Sequence, residues 1–434
     1  MQHLNLSSVC KKIYANLDLP GSKSIANRVL PIAAIANGVS VIHNVPLVSE
    51  DVELMLKALL ELGVKITLLK KNPNGTASYQ IEGCDGEFPV SDITIFCGNS
   101  GTTVRFLGAV LALMPGSYIV TGIERMKERP IVDLVDALRQ IGANITYLEN
   151  PGFPPLKLEG FSDNLVNQLN VSGKVSSQYL TGILIAGTLL KRSLTVHIQD
   201  ELISQPYVNI TCEILKKFGF LISTKEKNYL LPKNLGENNS LNGIEYTVEP
   251  DASSASYFLA MASLAGEITV NNLSESSLQG DRNFAKILAK MGAKVIYLAN
   301  SITVKAHQLN GITIDMEDMP DVAMTIAVLA LFAKGQTKIT GIASWKVKET
   351  DRLQAMYNEL TKLGATVIIT SSSILINPPQ QINSGIAIDT YNDHRMAMCF
   401  SLVAVAGVDV IINDYNCVAK TFANYFDLFK QICY

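Results

Sequence analysis

Apolar and polar positions along the chain follow a pattern that recurs. Helix-like stretches with an apolar stripe end in an apolar residue, then Gly, then a strand start: Leu62-Gly63-Val64, Ile141-Gly142-Ala143, Phe218-Gly219-Phe220, Met291-Gly292-Ala293 and Leu363-Gly364-Ala365. The Gly-to-Gly steps are 79, 77, 73 and 72 residues. Gly at that point predicts a left-handed residue just past a helix end. Between these stretches lie runs rich in Ala, Leu and Met, opened by Ser24, Ser100, Ser176, Ser253, Asp321 and Asp393 at steps of 76, 76, 77, 68 and 72. Short hydroxyl and carboxylate side chains there predict helix N-caps.

Each period therefore predicts an apolar inner helix, a strand, an amphipathic outer helix and two further strands, such as 65–69 and 79–82. The inner stretches, for example 323–332 and 396–405, are apolar on nearly every face. They fall short of the roughly 20 residues that cross a bilayer, so burial inside a shell of outer helices is expected. The sixth period stops after a helix around 422–432, where the others continue into strands, and residues 1–20 belong to no period. The expected fold is α/β, with six units in two domains. Residues 1–21 and 249–434 would form a discontinuous domain whose missing strands come from the N-terminal segment, and 22–248 an inserted continuous one. Chain crossings near 20–21 and 248–251 would serve as a hinge.

A length of 434 residues with 48% hydrophobic and 17% charged residues suits large packed cores and excludes a disordered chain. A net charge of -3 argues against bulk attraction to nucleic acid but permits a local basic pocket. Seven cysteines (10, 84, 97, 212, 399, 417, 433), odd in number and without a Cys-x-x-Cys pair, predict reduced thiols with neither disulfides nor a zinc framework. Five scattered histidines offer no metal cage, so neither a metal nor a cofactor is expected. Residues 1–20 lack the apolar core and cleavage site of a secretory signal, and a cytoplasmic monomer with no membrane partner is expected.

The unusual residues concentrate at helix openings. Pro20-Gly21-Ser22-Lys23-Ser24, with Arg28 a turn later, opens the first inner helix. Gly98-Asn99-Ser100-Gly101-Thr102-Thr103, with Arg105, opens the second, and Ser172-Gly173-Lys174-Val175-Ser176-Ser177-Gln178 the third. Small residues, hydroxyls and a cation at a helix start make an anion site, because free amides point outward along a positive dipole end. Neither the Gly-x-x-x-x-Gly-Lys-Ser/Thr loop nor Gly-x-Gly-x-x-Gly is present. Residues 124–130 precede the second outer helix, with Pro130 expected at its first position. In the C-terminal half, Lys348 and Arg352 are spaced as on one helix face with Glu349 beside them. Asp321 is expected to cap the fifth inner helix, Asn392-Asp393-His394-Arg395 opens the sixth, and Lys420 precedes the last outer helix.

Converging, these openings would put Lys23, Arg28, Arg105, Arg129, Lys348, Arg352, Arg395 and Lys420 around a few carboxylates. A cationic focus in a near-neutral protein points to small polyanions held by arginine forks, with Asp321 and Glu349 as candidate proton carriers.

Five blocks carry a family resemblance: Leu-Pro-Gly-Ser-Lys-Ser at 19–24, Gly-Asn-Ser-Gly-Thr at 98–102, Met-Lys-Glu-Arg-Pro at 126–130, Val-Lys-Glu-Thr-Asp-Arg at 347–352 and Tyr-Asn-Asp-His-Arg-Met-Ala-Met at 391–398. In order and together, they resemble the 5-enolpyruvylshikimate-3-phosphate synthases. The resemblance implies an inside-out α/β barrel of two globular domains, each of three βαβαββ units, with the active site in the cleft between them. It implies transfer of the carboxyvinyl group of phosphoenolpyruvate to the 5-hydroxyl of shikimate 3-phosphate, releasing phosphate, in the shikimate pathway to chorismate and the aromatic amino acids.

Carried over block by block, the resemblance assigns shikimate 3-phosphate to Lys23, Ser24, Arg28, Ser176, Ser177, Gln178, Ser204, Tyr207, Asp321, Ser344 and Lys348. It assigns phosphoenolpyruvate to Lys23, Gly101, Thr102, Arg129, Gln178, Arg352, Arg395 and Lys420, and proton transfer to Asp321, Glu349 and Lys23. Ser344 stands where the family commonly has Asn, and Phe106 where Pro is frequent. Gly101 implies room for glyphosate, a phosphoenolpyruvate competitor. Two other readings compete. A UDP-N-acetylglucosamine enolpyruvyl transferase shares the fold, but its loop cysteine has no counterpart in 124–129. A non-catalytic anion-binding protein would not need Asp321, Glu349 and Lys23 together.

Overall fold

A computed structural model describes residues 2–9, 11–47, 49–234 and 239–434. The chain divides into two compact units, Met1–Pro20 with Glu249–Tyr434, and Gly21–Val248. Each holds three small sheets. Five of the six sheets have four strands and one has three among the described residues. In a repeating pattern, one parallel pair carries the crossover through an inner helix, and an antiparallel hairpin completes the sheet, as in Asp92–Phe96, Ser117–Thr121, Leu156–Phe161 and Ala143–Tyr147.

The N-terminal segment splits between two sheets. His3–Leu6 pairs antiparallel with Val410–Asn413 in the three-stranded sheet, whereas Ile13–Leu17 lies parallel to Gly266–Asn271. In the other unit Glu245–Thr247 lies parallel to Val39–Pro46. The helices without a polar face are the cores. Every residue from Ile25 to Ile35 of Lys23–Ile35 is buried, as is all of His394–Phe400 and Ala323–Leu329. The third inner helix, Ser177–Gly187, crosses the second so closely that a Cβ on Gly182 would stand 2.7 Å from the Arg105 carbonyl oxygen. Hydrophobic burial selects these helices as inner ones, and glycine sets how near they approach.

The five periodic glycines all take positive φ, from 86° at Gly63 to 113° at Gly292. Of the six expected caps, Ser100, Ser176 and Asp393 accept an amide of their own helix start, from Thr103, Gln178 and Arg395. Ser24 and Ser253 lie inside their helices instead, with Asp251 capping Ala252–Ala265. Asp321 is no cap, because its carboxylate is engaged by cations described below. Pro130 is not the first residue of the second outer helix, which runs Val132–Gln140; its carbonyl instead accepts from Arg105 and the Tyr179 hydroxyl. The inner helices also end sooner than their apolar runs. Ala323–Leu329 tightens into a 3-10 turn, Ala330–Phe332, and the sixth breaks between Phe400 and Leu402. Six cysteines are unpaired; Cys10 lies outside the described residues. No helix among the described residues is long and apolar enough to cross a membrane, and no His, Cys, Asp or Glu group among them could hold a metal.

Candidate active site

In the unit Gly21–Val248 the starts of three inner helices meet. Asn27, wholly buried on the first, donates to Thr102 Oγ1 at the second, 2.7 Å away. Arg105, on a stretch widened to π geometry over Thr103–Leu107, reaches Gln178 Oε1 on the third at 2.7 Å. Such widened turns accompany functional positions because they redirect a side chain without ending the helix. Lys23 pairs with Asp51 at 3.0 Å, with its side chain 16% exposed.

Arg28 runs into the helix packing, donating to Thr211 Oγ1 and the Ser24 carbonyl, with its guanidinium 5.0 Å from the Phe106 ring centroid and 6.0 Å from that of Tyr207. Burial pushes Arg28 down to about 10. The departure at Phe106 thus supplies an aromatic face for a buried cation. Ser204 opens the helix Gln205–Lys217 in a left-handed conformation, φ 55°, and is 6% exposed.

Gly101 leaves the space that two guanidinium ends occupy. A Cβ there would lie 2.6 Å from Arg105 Nη1 and 2.7 Å from Arg129 Nη2. Arg129 is 5% exposed and donates to the carbonyl and side chain of Asn99, while its buried Nε has no partner among the described residues. Its neighbours behave differently. Arg125 pairs with Glu128, and Lys127 with Glu124 and Glu149, as a solvated turn.

In the other unit one carboxylate organises three cations. Asp321 Oδ1 lies 2.9 Å from Arg352 Nη1 and 3.3 Å from Lys348 Nζ, and Oδ2 lies 3.0 Å from Arg395 Nη2. Arg352, 1% exposed, also reaches Glu349 at 2.8 Å and Asp393 at 2.7 Å. Burial pushes the Asp321 carboxyl up, but Arg395, Lys348 and Arg352 outweigh it and hold the group well below the usual carboxylate range. Lys348 is lowered, first by burial and then by Arg352 and Arg395, against the pull of Asp321.

Lys348 and Arg352 do not share a helix face, since the helix Arg352–Lys362 begins only at Arg352, behind its cap Asp351. They converge on the same oxygen of Asp321. Ser344 is partly exposed in the 3-10 turn Ala343–Val347, and Lys420, 6% exposed, ends the turn Tyr415–Lys420 rather than directly preceding the outer helix Tyr425–Cys433.

Behind Arg395 stand groups that the motif reading passed over. Tyr257 accepts from Arg395 Nη1 at 3.2 Å, and Asp281, 4% exposed, accepts from Ser253. Burial and the Asp321 charge raise Asp281 to about 6, with Asp251 adding to the rise and Ser253 and Arg395 opposing it. Its unfolded value is 3.8, so the folded state binds the extra proton in between and stability falls as pH climbs through that window. The cost is roughly 3 kcal/mol once pH passes the upper value. Asp281→Asn is expected to flatten this slope in thermal melts taken from about pH 4 to 7, and an unchanged slope would refute the assignment.

The expected site residues divide between the two units: Asp321, Lys348, Glu349, Arg352 and Arg395 come together in one, and Thr102, Arg105, Gln178 and Arg129 lie at neighbouring helix starts in the other, while Ser344 and Lys420 stand in turns of their own. A family model described as EPSP synthase (3-phosphoshikimate 1-carboxyvinyltransferase) matches residues 9–429. A 3-phosphoshikimate 1-carboxyvinyltransferase of Colwellia psychrerythraea is 46% identical over 434 residues, covering 100% of both chains. One from a Sulfurovum species is 46% identical over 423 residues, covering 97% of each. Among solved structures, EPSP synthase from Acinetobacter baumannii matches with a TM-score of 0.81 at 25% identity, over 100% of this chain and 98% of that one. The enolpyruvyl transferase NikO from Streptomyces tendae matches at 0.77 with 14% identity, over 99% and 97%, which speaks for the fold alone. With a matching model over nearly its whole length and relatives this similar from end to end, the chain belongs to the EPSP synthase family.

Proposed function

We propose that this chain transfers the carboxyvinyl group of phosphoenolpyruvate to the 5-hydroxyl of shikimate 3-phosphate and releases phosphate. The observation that carries the reading is the Asp321 cluster: three cations share one depressed carboxylate, beside Glu349 and at helix starts. Substrate anions can replace part of that pairing with cations that are already desolvated, so the protein side of the desolvation cost is met in folding.

The reaction needs a proton delivered to the vinyl CH2, attack by the hydroxyl, and collapse of a tetrahedral adduct with loss of a proton and phosphate. Asp321 stays ionised through neutral pH, which suits orienting the attacking hydroxyl as an acceptor. Glu349 and Lys23 are then the candidates for moving the proton. Ser24, Arg28, Ser176, Ser177, Gln178, Ser204, Tyr207, Ser344 and Lys348 would hold shikimate 3-phosphate. Gly101, Thr102, Arg129, Arg352, Arg395 and Lys420 would hold phosphoenolpyruvate. Working in the cytoplasm as a monomer fits this role.

Phosphate release from phosphoenolpyruvate should depend on shikimate 3-phosphate and not on UDP-N-acetylglucosamine. Release with the second acceptor, or with neither, overturns the reading. Gly101→Ala should fold normally yet raise the KM for phosphoenolpyruvate about tenfold, because its methyl must displace the Arg105 and Arg129 guanidinium ends. Inhibition by glyphosate should weaken at least as much. A variant indistinguishable from wild type in both measurements would show that the methyl is accommodated.

A further inference from the structure

The segment that delivers Asp393 and Arg395 is a strained turn gripped from behind. Thr390 and Asp393 close it through a 2.8 Å hydrogen bond, and both central residues, Tyr391 and Asn392, are left-handed at φ 52° and 53°. Asn392 is among the residues such a turn favours, but Tyr391 is not. Something else must hold it, and the helix Arg352–Lys362 does so from its far end.

Glu359, with 0% exposure, accepts the Tyr391 hydroxyl at 2.7 Å, Lys362 Nζ at 2.8 Å and the Asp389 amide at 3.1 Å. Lys362 also reaches Asp389 at 2.7 Å, and Asn358 donates to the Tyr391 oxygen at 3.2 Å. The same helix meets the turn's exit through Arg352 and Asp393. One rigid element thus grips both ends of the connection, and the turn between has a single way to run. Its product is the Arg395 guanidinium, 3.0 Å from Asp321.

We propose that Glu359 and Tyr391 are positioning residues that fix Asp393 and Arg395 and so set the affinity for the phosphoenolpyruvate end of the substrate pair. The inference rests on the functional reading above. Tyr391 is 37% exposed, so Tyr391→Phe removes the hydroxyl without opening a core. Its KM for phosphoenolpyruvate should rise about tenfold while that for shikimate 3-phosphate stays within about twofold. Glu359→Gln should act in the same direction, and the double variant should be no worse than the more severe single one, because both break one clamp. Equal changes in the two KM values, or additive effects of the two substitutions, would reduce the clamp to general stability and overturn the proposal.

A crystal structure of Tyr391→Phe supplies a readout independent of turnover. The Arg395 guanidinium should leave its place on Asp321, and finding it undisturbed also overturns the proposal. If wild type releases no phosphate, the activity reading fails, while the crystal structure still decides the clamp.

Discussion

Arg352→Met should be the most damaging single change in the protein. The guanidinium is the shared partner of Asp321, Glu349 and Asp393, which are 19%, 9% and 0% exposed at the side chain, and burial works against it while those three carboxylates raise it. Methionine keeps much of the volume but leaves Asp393 in the interior without the cation that matched it. Breaking a buried network from one side costs about 3–5 kcal/mol, which for a unit of this size is a melting drop of roughly 10 °C.

Arg352→Lys should recover little, since one ammonium cannot span three carboxylates with the planar fork that Nε, Nη1 and Nη2 provide. Phosphate release should fall by about three orders of magnitude in both variants. A melting temperature for Arg352→Met within two degrees or so of wild type would show that water already screens the cluster.

How much of this was readable beforehand depends on whether a property is local. A left-handed residue past a helix end is a local requirement that Gly meets most freely, so all five periodic glycines could be located from the repeating sequence pattern alone. Helix starts were readable only in part. Asp393 serves both as cap and as Arg352's partner, but Asp321 gave up capping because Arg395 and Arg352 approach from elsewhere in the chain, and no local spacing encodes that. Pro130 was misplaced for the same reason, its carbonyl being held by Arg105 and Tyr179.

Glu359 left a faint trace. It lies in line with Ala355, Met356 and Leu363, all buried, so a carboxylate interrupts the apolar stripe of an otherwise ordinary amphipathic helix. A charge on the buried side of such a helix signals a distant partner, though not which one. Asp281 and Tyr257 left none, since each looks like an unremarkable polar residue until the fold sets it behind Arg395.

Asp321→Asn separates the two roles a carboxylate can play here. The substitution keeps the shape and one carbonyl acceptor but removes the negative charge shared by Lys348, Arg352 and Arg395. The cations then lose a counter-charge, Lys348 is lowered further, and the hydroxyl to be activated faces an amide instead of an ionised acceptor. A fall in kcat of about a thousandfold is expected, larger than any change in either KM.

The pH profile carries the decisive detail. Because Asp321 is held well below 3.8, its titration lies under the range in which activity is measured. Any acid limb of kcat/KM between about pH 5 and 7 must belong to another group, so it should persist, at reduced height, in the residual activity of Asp321→Asn. The carboxylate's contribution to folding follows the same sign: it is fully present above the unfolded value of 3.8 and is lost only as pH falls through the depressed folded one. Melts of wild type and Asp321→Asn should therefore run parallel from about pH 7 upward, above the window in which Asp281 titrates with the Asp321 charge beside it, and the contribution of Asp321 itself should disappear only in strong acid. An acid limb that vanishes in the variant, or melting curves that converge near neutrality, would mean that Asp321 carries a proton during turnover and that the cluster holds it far less tightly than its three cations imply.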